Sequence, residues 1–425
     1  MSIWRRTLTI GATFAFLTAT VLLIYAQQPA DPPKPTGSEP PWFLAVDVAP
    51  PGTTGTFTTL FSFDNMDGAF PFNGALVQAT NGDLYGTTAG VGANGHGTVF
   101  KITPSGTLTT LYGFGSQTTD GYGANAGLVQ ATNGYLYGTT TLGGAGPYGS
   151  GGGTVFKITP SGTLTTLYSF CTQYGCPDGD QPNAGLVQAT NGYLYGTTEF
   201  GGAGPYGSGG GTVFKITPSG TLTTLYSFCL QSGCPDGELP LSGLVQGTNG
   251  YLYGTTAAGG ANGNLGTVFK ITPSGTLTTV YSFCSQSGCA DGDDPVAGLV
   301  QATDGNFYGT TDYGGAGKYG SGGTVFKITP SGKLTTLYSF CSQSRCTDGE
   351  YPYAALVQAT NGDFYGTTYV GGATIGGCML GNGCGKVFSL SVSLGPFVET
   401  DYLRQGGSRC QDSGKRSHRR NQRHL

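Results

Sequence analysis

Charge and histidine are both scarce in this chain of 425 residues. Charged residues make up 10% of the sequence, and there are only 3 His, 3 Met and 2 Trp. His96 is the only histidine before the C-terminal segment, which excludes most catalysis that depends on a histidine base. The sequence motifs of serine hydrolases, zinc proteases and phosphate-binding loops are absent as well. We therefore expect no catalytic residues and no enzyme activity.

The net charge of −4 combines two regions of opposite sign. Residues 401–425 carry seven basic and two acidic side chains, whereas residues 28–400 carry 10 basic and 21 acidic ones. An acidic body is a poor partner for the phosphate backbone of a nucleic acid. We therefore expect no nucleic-acid binding.

A long apolar run occurs only at the N-terminus. Arg5 and Arg6 precede the apolar stretch from Thr7 to Tyr25, which predicts an export signal (signal peptide) at residues 1–26. The stretch is long for a cleaved peptide, so an uncleaved membrane anchor stays open. Residues 27–51 are rich in proline and predict an extended linker, and no later run is long enough to span a bilayer. We expect a secreted or cell-surface protein outside the cytoplasm.

Glycine and aromatic residues, unlike charged residues, are abundant in the sequence. The chain has 78 Gly, 23 Pro, 25 Tyr and 23 Phe. So much glycine and proline disfavours helices, and so much aromatic surface disfavours a disordered chain. We expect an all-β protein of short strands and many turns.

One unit is repeated six times after residue 52. The motif Tyr-Gly-Thr-Thr recurs about every 56 residues, beginning at Tyr85, Tyr137, Tyr195, Tyr253, Tyr308 and Tyr365. In the third unit we predict strands at 185–190, 193–198, 212–217 and 221–228, with Asn191-Gly192 as a type I′ hairpin turn. The later strands are apolar on both faces, and radial stacking into a β-propeller covers both faces.

The two ends of the repeat array predict how the ring closes. A lone fourth strand at 56–63 precedes the first unit, and the last unit ends after its third strand at 386–390. The N-terminal strand therefore fits as the outer strand of the last blade. We expect a six-bladed β-propeller of four-stranded blades over residues 52–396, closed by the N-terminal strand and monomeric.

Two repeated segments resemble a known family. They are Gly-Thr-Val-Phe-Lys-Ile-Thr-Pro-Ser-Gly, from Gly153, Gly211 and Gly323, and Leu-Val-Gln-Ala-Thr-Asn-Gly. Both are similar to the Gloeo-Verruco ("GloVer") tandem repeat of secreted bacterial proteins, and the resemblance covers about residues 52–398. It implies export and one of several alternative surface anchors. It implies no activity.

Ten of the 11 cysteines form close pairs. These are Cys171/Cys176, Cys229/Cys234, Cys284/Cys289, Cys341/Cys346 and Cys378/Cys384. In an exported protein they predict five local disulfides. The alternative is metal binding, because two cysteines in one loop supply half a zinc site. No histidine flanks any pair, so we favour disulfides and expect no metal there.

An Asp-Gly pair precedes every first strand and supplies the best candidates for ligand or cation binding. The six acids are Asp67, Asp120, Asp178, Asp236, Asp291 and Asp348, and further acids nearby are Asp180, Glu238, Asp293, Asp294 and Glu350. At a channel mouth they could hold Ca²⁺ or attract a cationic ligand. We favour the alternative, in which each Asp makes the turn by accepting hydrogen bonds from nearby amides. We expect no cofactor, with Ca²⁺ the candidate otherwise.

Two other side-chain sets recur. The first, which we expect to hydrogen-bond between blades rather than line the channel, is Gln78, Gln130, Gln188, Gln246, Gln301 and Gln358. The second consists of loop tyrosines that suit a glycan or protein surface, namely Tyr148, Tyr206, Tyr313, Tyr319 and Tyr369.

The composition changes abruptly in the basic tail at residues 397–425. A basic tail could bind anionic surfaces. We prefer the interpretation that it is translated out of frame, because codons can be chosen whose neighbouring frame encodes a glycine-rich, strand-like sequence. The natural C-terminal anchor would then be lost, and the nucleotide sequence decides.

The sequence as a whole predicts an exported binding or structural surface module without catalysis. Its partner would be an extracellular glycan or protein, with no membrane contact apart from the export signal or a lost anchor. The alternative is an extracytoplasmic metal-dependent hydrolase or lyase with its site at the propeller channel mouth.

Overall fold

The computed structural model describes residues 59–71, 75–117, 119–146, 151–204, 209–372 and 384–394. The predicted signal peptide (1–26), linker (27–51) and basic tail (397–425) lie outside the described residues, as do Tyr148, Tyr206 and Cys378. Their assignments stay predictions. No helix in the described ranges has the length and apolar character needed to cross a membrane.

Twenty-three strands form six antiparallel sheets, and these residues contain no α-helix. The first strands of the blades are β1 (Val77–Gln78), β5 (Val129–Gln130), β9 (Val187–Gln188), β13 (Val245–Gln246), β17 (Val300–Gln301) and β21 (Val357–Gln358). The second are β2 (Leu84–Thr88), β6 (Leu136–Thr140), β10 (Leu194–Thr198), β14 (Leu252–Thr256), β18 (Phe307–Thr311) and β22 (Phe364–Thr368). The third are β3 (Thr98–Ile102), β7 (Thr154–Ile158), β11 (Thr212–Ile216), β15 (Thr267–Ile271), β19 (Thr324–Ile328) and β23 (Lys386–Leu390). The fourth are β4 (Leu108–Gly113), β8 (Leu164–Ser169), β12 (Leu222–Ser227), β16 (Leu277–Ser282) and β20 (Leu334–Ser339). Short 3₁₀ turns at Ser287–Cys289 and Ser344–Cys346 follow two of the fourth strands.

Each sheet is a meander whose strands pair in chain order. Five sheets have four strands, and the sixth has three in the described residues. In each four-stranded sheet the third and fourth strands pair with a bulge, which lies between Val213 and Phe214 in the third blade. The molecule is a six-bladed β-propeller, as the sequence predicted.

The first strands of successive blades meet at the centre of the ring. A Cβ atom on Gly185 would lie 3.2 Å from the Gly127 carbonyl oxygen, and one on Gly243 would lie 3.3 Å from the Gly185 carbonyl oxygen. The fourth strands, by contrast, keep exposed positions. The first strand therefore lies innermost and the fourth strand forms the outer edge of each blade.

The hydrophobic core lies between blades. Tyr195, Val213 and Phe228 of the third blade pack against Leu252 and Phe269 of the fourth, and the two phenylalanine rings meet edge to face at 5.2 Å. Burial of each such side chain contributes about 1.5–3 kcal/mol. The same arrangement recurs at the four other interfaces for which a core is described. Both faces of each sheet are therefore covered, as the apolar pattern of the later strands predicted.

The N-terminal segment takes the position of a fourth strand beside the first blade. Phe63 packs edge to face on Phe100 at 5.1 Å, and the Leu60 carbonyl lies against Gly106. The fourth strands make the same two contacts with the blades that follow them. The segment thus occupies the place predicted for the outer strand of the last blade, although its pairing with β23 is not seen in the described residues.

The turn between the first two strands differs from the predicted type I′ turn. Gly192 N donates to the Ala189 carbonyl at 2.9 Å and Ala189 N donates to the Tyr193 carbonyl at 3.0 Å. Gly192 has a φ of 82°, whereas Asn191 is not among the residues with positive φ. A type I′ turn needs positive φ at both residues, so this prediction is wrong. The loop has three residues, 190–192, and ends on a left-handed glycine, and the first strand has two residues.

Candidate functional site

The two ends of the propeller carry different connections. One end holds the tight turns between first and second strands and between third and fourth strands. The other end, called here the loop face, holds the longer loops between second and third strands and the loops that lead from one blade to the next. The predicted site residues and all described cysteines lie in the connections of the loop face.

The Tyr-Gly-Thr-Thr motif holds neighbouring blades together. Its first threonine reaches the next blade, since the Thr197 hydroxyl donates to the Ser242 carbonyl at 3.0 Å. Its second threonine bonds within the blade, where the Thr198 and Thr212 hydroxyl oxygens lie 2.8 Å apart. Its glycine is required by packing, because a Cβ at Gly196 would lie 2.6 Å from the Phe214 ring. The sequence showed that the motif repeats but not what it does.

The recurring glutamines also join the blades, which confirms the prediction for them. The Gln188 Oε1 atom accepts a hydrogen bond from Thr132 N of the preceding blade at 2.8 Å. The same bond recurs at the four other interfaces for which it is described. These side chains serve the scaffold.

The acids of the Asp-Gly pairs are bonded to the outer strands. Asp291 is 0% exposed, and its Oδ2 atom accepts hydrogen bonds from the Tyr281 hydroxyl at 2.7 Å and from Ser285 N at 2.9 Å. Burial, together with donation to Asp291, raises the pKa of Tyr281 to about 12. Asp120, Asp178, Asp236 and Asp348 each accept a bond from the equivalent tyrosine. At Asp67 the equivalent ring is Phe61, which has no hydroxyl. Protein donors thus bind five of these carboxylates, and ligand binding by the six stays a prediction.

Four of the predicted disulfides are formed, between Cys171 and Cys176, Cys229 and Cys234, Cys284 and Cys289, and Cys341 and Cys346. Cys384 is also disulfide-bonded, and its predicted partner Cys378 lies outside the described residues. Both cysteines of each described pair have positive φ, from 46° to 59°. The cysteine loops are therefore tight left-handed turns at the loop face, each closed by its disulfide.

The blades differ in two adjacent positions at the loop face, called here the variable ring. The residue after Tyr-Gly-Thr-Thr is Ala89, Thr141, Glu199, Ala257, Asp312 or Tyr369. The residue three places after the aspartate of Asp-Gly is Phe70, Gly123, Gln181, Leu239, Asp294 or Tyr351. In every blade the first residue donates its backbone N–H to the carbonyl of the second, for example Asp312 to Asp294 at 3.0 Å.

The second position of the variable ring is conformationally unusual. Its φ lies between 55° and 69° in all six blades, although five of the six residues are not glycine. Positive φ costs a side-chain-bearing residue free energy, and such residues gather at functional sites. The fold therefore holds five side chains on a strained backbone conformation at the loop face, and the sixth position is Gly123.

In the second and third blades the variable ring carries a chain of polar side chains. Asn125 Nδ2 donates to the Thr141 hydroxyl at 3.0 Å, and that hydroxyl donates to Asn183 Oδ1 at 2.8 Å. Asn183 in turn donates to the Glu199 carboxylate. Burial raises the pKa of Glu199 above its ordinary value. This chain offers amide, hydroxyl and carboxyl groups side by side.

In the fifth blade the variable ring is acidic. Asp293 and Tyr313 pair through backbone hydrogen bonds at 3.0 and 3.2 Å, and Asp312 bonds to Asp294 beside them. Burial, and then the negative charges of Asp294 and Asp293, raise the pKa of Asp312 to about 7. Tyr353 of the sixth blade donates a hydrogen bond to this carboxyl. The three acids thus form one electrostatically coupled group.

Sequence reasoning named Asp293 and Asp294 but missed Asp312. The position of Asp312 is not acidic in the neighbouring blades, so the repeat pattern did not mark it. Comparing the six residues that follow the invariant motif would have found it, because the contrast with the constant scaffold is visible in the sequence alone.

Two open grooves lie between neighbouring blades at this face. The groove between the third and fourth blades has a volume of about 370 Å³ and is lined by Phe200, Glu238 and Leu239 among others. The groove between the fourth and fifth blades has a volume of about 440 Å³ and is lined by Leu239, Asp293, Asp294 and Tyr313 among others. Both have room for a side chain or a small molecule.

Comparisons with known proteins identify the family. A search of curated proteins finds no match. Similar solved structures include a putative 6-phosphogluconolactonase from Bacteroides uniformis, at 17% identity and a TM-score of 0.42, which covers 69% of this chain and 77% of that one. Another is an α-L-arabinanase from Penicillium chrysogenum complexed with arabinobiose, at 13% identity and a TM-score of 0.43, which covers 74% of this chain and 91% of that one. Similarity this low carries no argument about activity. The profile of the Gloeobacter/Verrucomicrobia repeat family matches residues 47–263 and 231–400, and the chain belongs to that family.

Proposed function

We propose that the protein is an extracytoplasmic binding module that takes its ligand at the variable ring of the loop face and performs no catalysis. The observation that carries this proposal is the contrast between a constant scaffold and a variable ring. Tyr-Gly-Thr-Thr is identical in all six repeats, whereas the next residue is of five different types.

The contrast has a physical basis. The motif residues are constant because each fills a space or makes a bond that every blade interface needs. The ring residues bond to one another through backbone atoms, so the fold leaves their side chains free to differ. Side chains that differ on a constant scaffold are typical of a recognition surface.

The aromatic part of the ring suits an extracellular glycan or protein. Tyr353 and Tyr369 of the sixth blade meet edge to face at 5.4 Å, and the Tyr369 side chain is 61% exposed. Tyrosine offers an apolar face and a hydroxyl at one position, and carboxyl groups lie close by. Both features favour binding of a polar ligand that also has apolar faces.

The cysteines support the location outside the cytoplasm. Four closed disulfides are expected in an oxidising compartment and are rare in the cytosol. Together with the predicted export signal at residues 1–26, they favour a secreted or surface-attached protein.

A binding screen with matched variants tests this function. The full chain is applied to a glycan array and to a panel of extracellular proteins, together with Tyr369→Ala and with Tyr193→Ala as the control. Tyr193 lies at the opposite end and is 37% exposed. We expect binding that Tyr369→Ala weakens and Tyr193→Ala leaves unchanged. Equal loss in both variants, or no binding to any probe, contradicts the proposal.

The alternative function, a metal-dependent hydrolase or lyase at the channel mouth, is favoured by one observation. Burial raises the pKa of Asp312 to about 7, and a carboxyl that is half protonated near neutral pH can act as a general acid if a substrate reaches this side chain, which is 2% exposed. The metal content of the purified protein and its melting temperature with and without Ca²⁺ test this alternative. Absence of bound metal together with an unchanged melting temperature removes it.

A further inference from the structure

The end of the propeller opposite the loop face, called here the turn face, differs from it in charge. Every acid of the described residues lies at the loop face except Asp83, Asp304 and Asp363. The turn face carries a lysine at the fourth position of the third strand in five blades, namely Lys101, Lys157, Lys215, Lys270 and Lys327. The acids and the lysines are therefore gathered at opposite ends of the molecule.

In the second, third and fourth blades this lysine lies over the ring of an exposed tyrosine. The distance from the lysine Nζ atom to the ring centroid is between 5.2 and 5.4 Å, and each tyrosine is 37% exposed. These three pairs, called here the lysine–tyrosine arc, are Lys157 with Tyr135, Lys215 with Tyr193, and Lys270 with Tyr251. A cation and an apolar ring thus lie side by side three times on neighbouring blades.

Hydrogen bonds between blades fix the positions of the three tyrosines. The bond from Thr132 N to Gln188 Oε1, at 2.8 Å, joins the turns that carry the first two tyrosines. The bond from Thr190 N to Gln246 Oε1, at 2.9 Å, joins the next two turns in the same way. Within each turn an asparagine accepts a hydrogen bond from the tyrosine N–H at 3.1 to 3.3 Å. The arc is therefore preorganised, which lowers the entropy cost of binding a ligand.

The lysines of the arc have no acidic partner. The one ion pair in the described ranges joins Lys101 to Asp83 at 3.9 Å, in the first blade, where the aspartate takes the position of the tyrosine. In the fifth blade that position is Asn306, and Lys327 acts electrostatically on Asp304 two residues earlier. The three cations of the arc are therefore available to an anion from outside the protein.

Folding does not require a tyrosine at these positions. The equivalent residues in the first, fifth and sixth blades are Asp83, Asn306 and Asp363. The glycine that precedes this residue has a φ between 78° and 87° in all six blades, so the turn has the same conformation whether or not a tyrosine follows. The arc is therefore a property of three neighbouring blades and not of the repeat.

The composition of the arc favours an anionic polysaccharide. The apolar face of a sugar ring packs on an exposed tyrosine, and a carboxylate on the sugar pairs with the ammonium group beside it. A polymer whose charged sugars recur at intervals can engage several pairs at once, which raises its affinity. A lipid surface is disfavoured, because the exposed large apolar residues of the arc are tyrosines and include no tryptophan, phenylalanine or leucine. The acidic body disfavours a nucleic acid.

We propose that the lysine–tyrosine arc binds a polyuronate, that is, a polysaccharide whose sugars carry carboxylate groups. Each lysine pairs with a carboxylate, and each tyrosine supports the face of a sugar ring. This site lies at the opposite end of the propeller from the variable ring. The inference is therefore independent of the proposed function and adds a second binding surface to it.

Two polymers that differ in charge test the proposal. The full chain is titrated at low salt with polygalacturonate and with its methyl ester, in which the same backbone carries no charge. We expect polygalacturonate to bind at least about tenfold more tightly than the methyl ester, and added salt to weaken this binding. Equal affinity for the two polymers, or binding to neither, overturns the inference.

Two double variants separate the arc from the general charge of the turn face. Lys157→Gln with Lys215→Gln removes two lysines of the arc and should weaken polygalacturonate binding about fivefold or more. Lys101→Gln with Lys327→Gln removes two lysines at the same strand position outside the arc and should change the affinity less than about twofold. Thermal melting confirms that both variants are folded. Equal losses of affinity in the two variants overturn the inference.

Single tyrosine variants distinguish this site from the loop face. Tyr193→Ala should weaken polygalacturonate binding and Tyr369→Ala should leave it unchanged, which is the reverse of the result expected for a ligand of the variable ring. Loss of this binding in Tyr369→Ala alone overturns the inference. So does tighter binding to phosphatidylglycerol vesicles or to single-stranded DNA than to polygalacturonate. Each of these results leaves the proposed function standing, because the screen at the loop face tests that function separately.

Discussion

Asp291→Asn should destabilise the propeller far more than the same change at Asp67. The Asp291 carboxylate is fully buried and accepts bonds at both oxygens, from the Tyr281 hydroxyl and Ser285 N at Oδ2 and from Gln286 N at Oδ1. An asparagine has only one carbonyl oxygen, so one of the two backbone N–H groups must face its amide NH₂. A buried donor left without an acceptor costs about 1–3 kcal/mol, and the bonds that remain lose their charge. We expect a loss of about 3 kcal/mol in the free energy of unfolding.

Asp67→Asn is the matched control, since the repeat position and the chemical change are the same. Phe61 stands where Tyr281 stands in the later blade, so no phenolic hydroxyl is available to donate. We expect a loss below about 1 kcal/mol. Urea unfolding followed by circular dichroism measures both values. Equal losses would refute the reasoning that hydrogen bonds from the outer strand and the cysteine loop make Asp291 structural. They would favour the interpretation that all six acids bind a ligand.

Three other perturbations test the packing, the electrostatics and the disulfides. Gly309→Ala should cost about 1–3 kcal/mol, because its Cβ would lie 2.7 Å from the Phe326 ring, whereas Gly298→Ala in the same blade meets nothing closer than 3.6 Å; equal urea midpoints for the two variants would contradict this. Burial and neighbouring charges raise the pKa of Asp312 from 3.8 to about 7, so the native state binds the proton more tightly than the unfolded chain. The free energy of unfolding should therefore fall as pH rises from about 4 to about 7, and Asp312→Asn should flatten that slope; a variant with an unchanged slope argues against this assignment. Reduction of the disulfides should lower the free energy of unfolding by about 2 kcal/mol each. The protein should stay folded, because the first two blades hold together without cysteine pairs. Urea midpoints with and without dithiothreitol measure the change, and loss of the β-sheet signal on reduction would contradict the prediction.

The strand positions were predicted well, because they follow from the pattern of the repeat. The strand positions in the third unit agree with the structure to within a few residues, because alternating and doubly apolar runs bounded by turn residues define strands. The exception is the first strand, which has two residues where six were predicted. Asn-Gly favours a two-residue turn, but here the glycine alone is left-handed, and the turn takes one more residue from the strand.

The candidate site was predicted only in part. Asp293 and Asp294 were found because they adjoin a repeated Asp-Gly pair, whereas Asp312 lies 18 residues further along the chain and comes beside them only when the blade folds. The glutamine contacts were predicted as bonds between blades, and the structure shows them. The threonine contacts were not predicted, because Thr197 and Ser242 are 45 residues apart.

By itself the sequence determined the number of blades, the order of the strands and four disulfides that the structure contains. These features depend on repetition and on contacts between residues close in the chain, and both are visible in the linear sequence. The tertiary structure alone decided which polar groups are satisfied and which are not. It bonded Asp291 to the outer strand, and it left the buried Oδ1 atoms of Asp293 and Asp312 without a hydrogen-bond partner. Such differences arise because burial and hydrogen bonding depend on neighbouring blades, which the chain brings together only when the ring has formed.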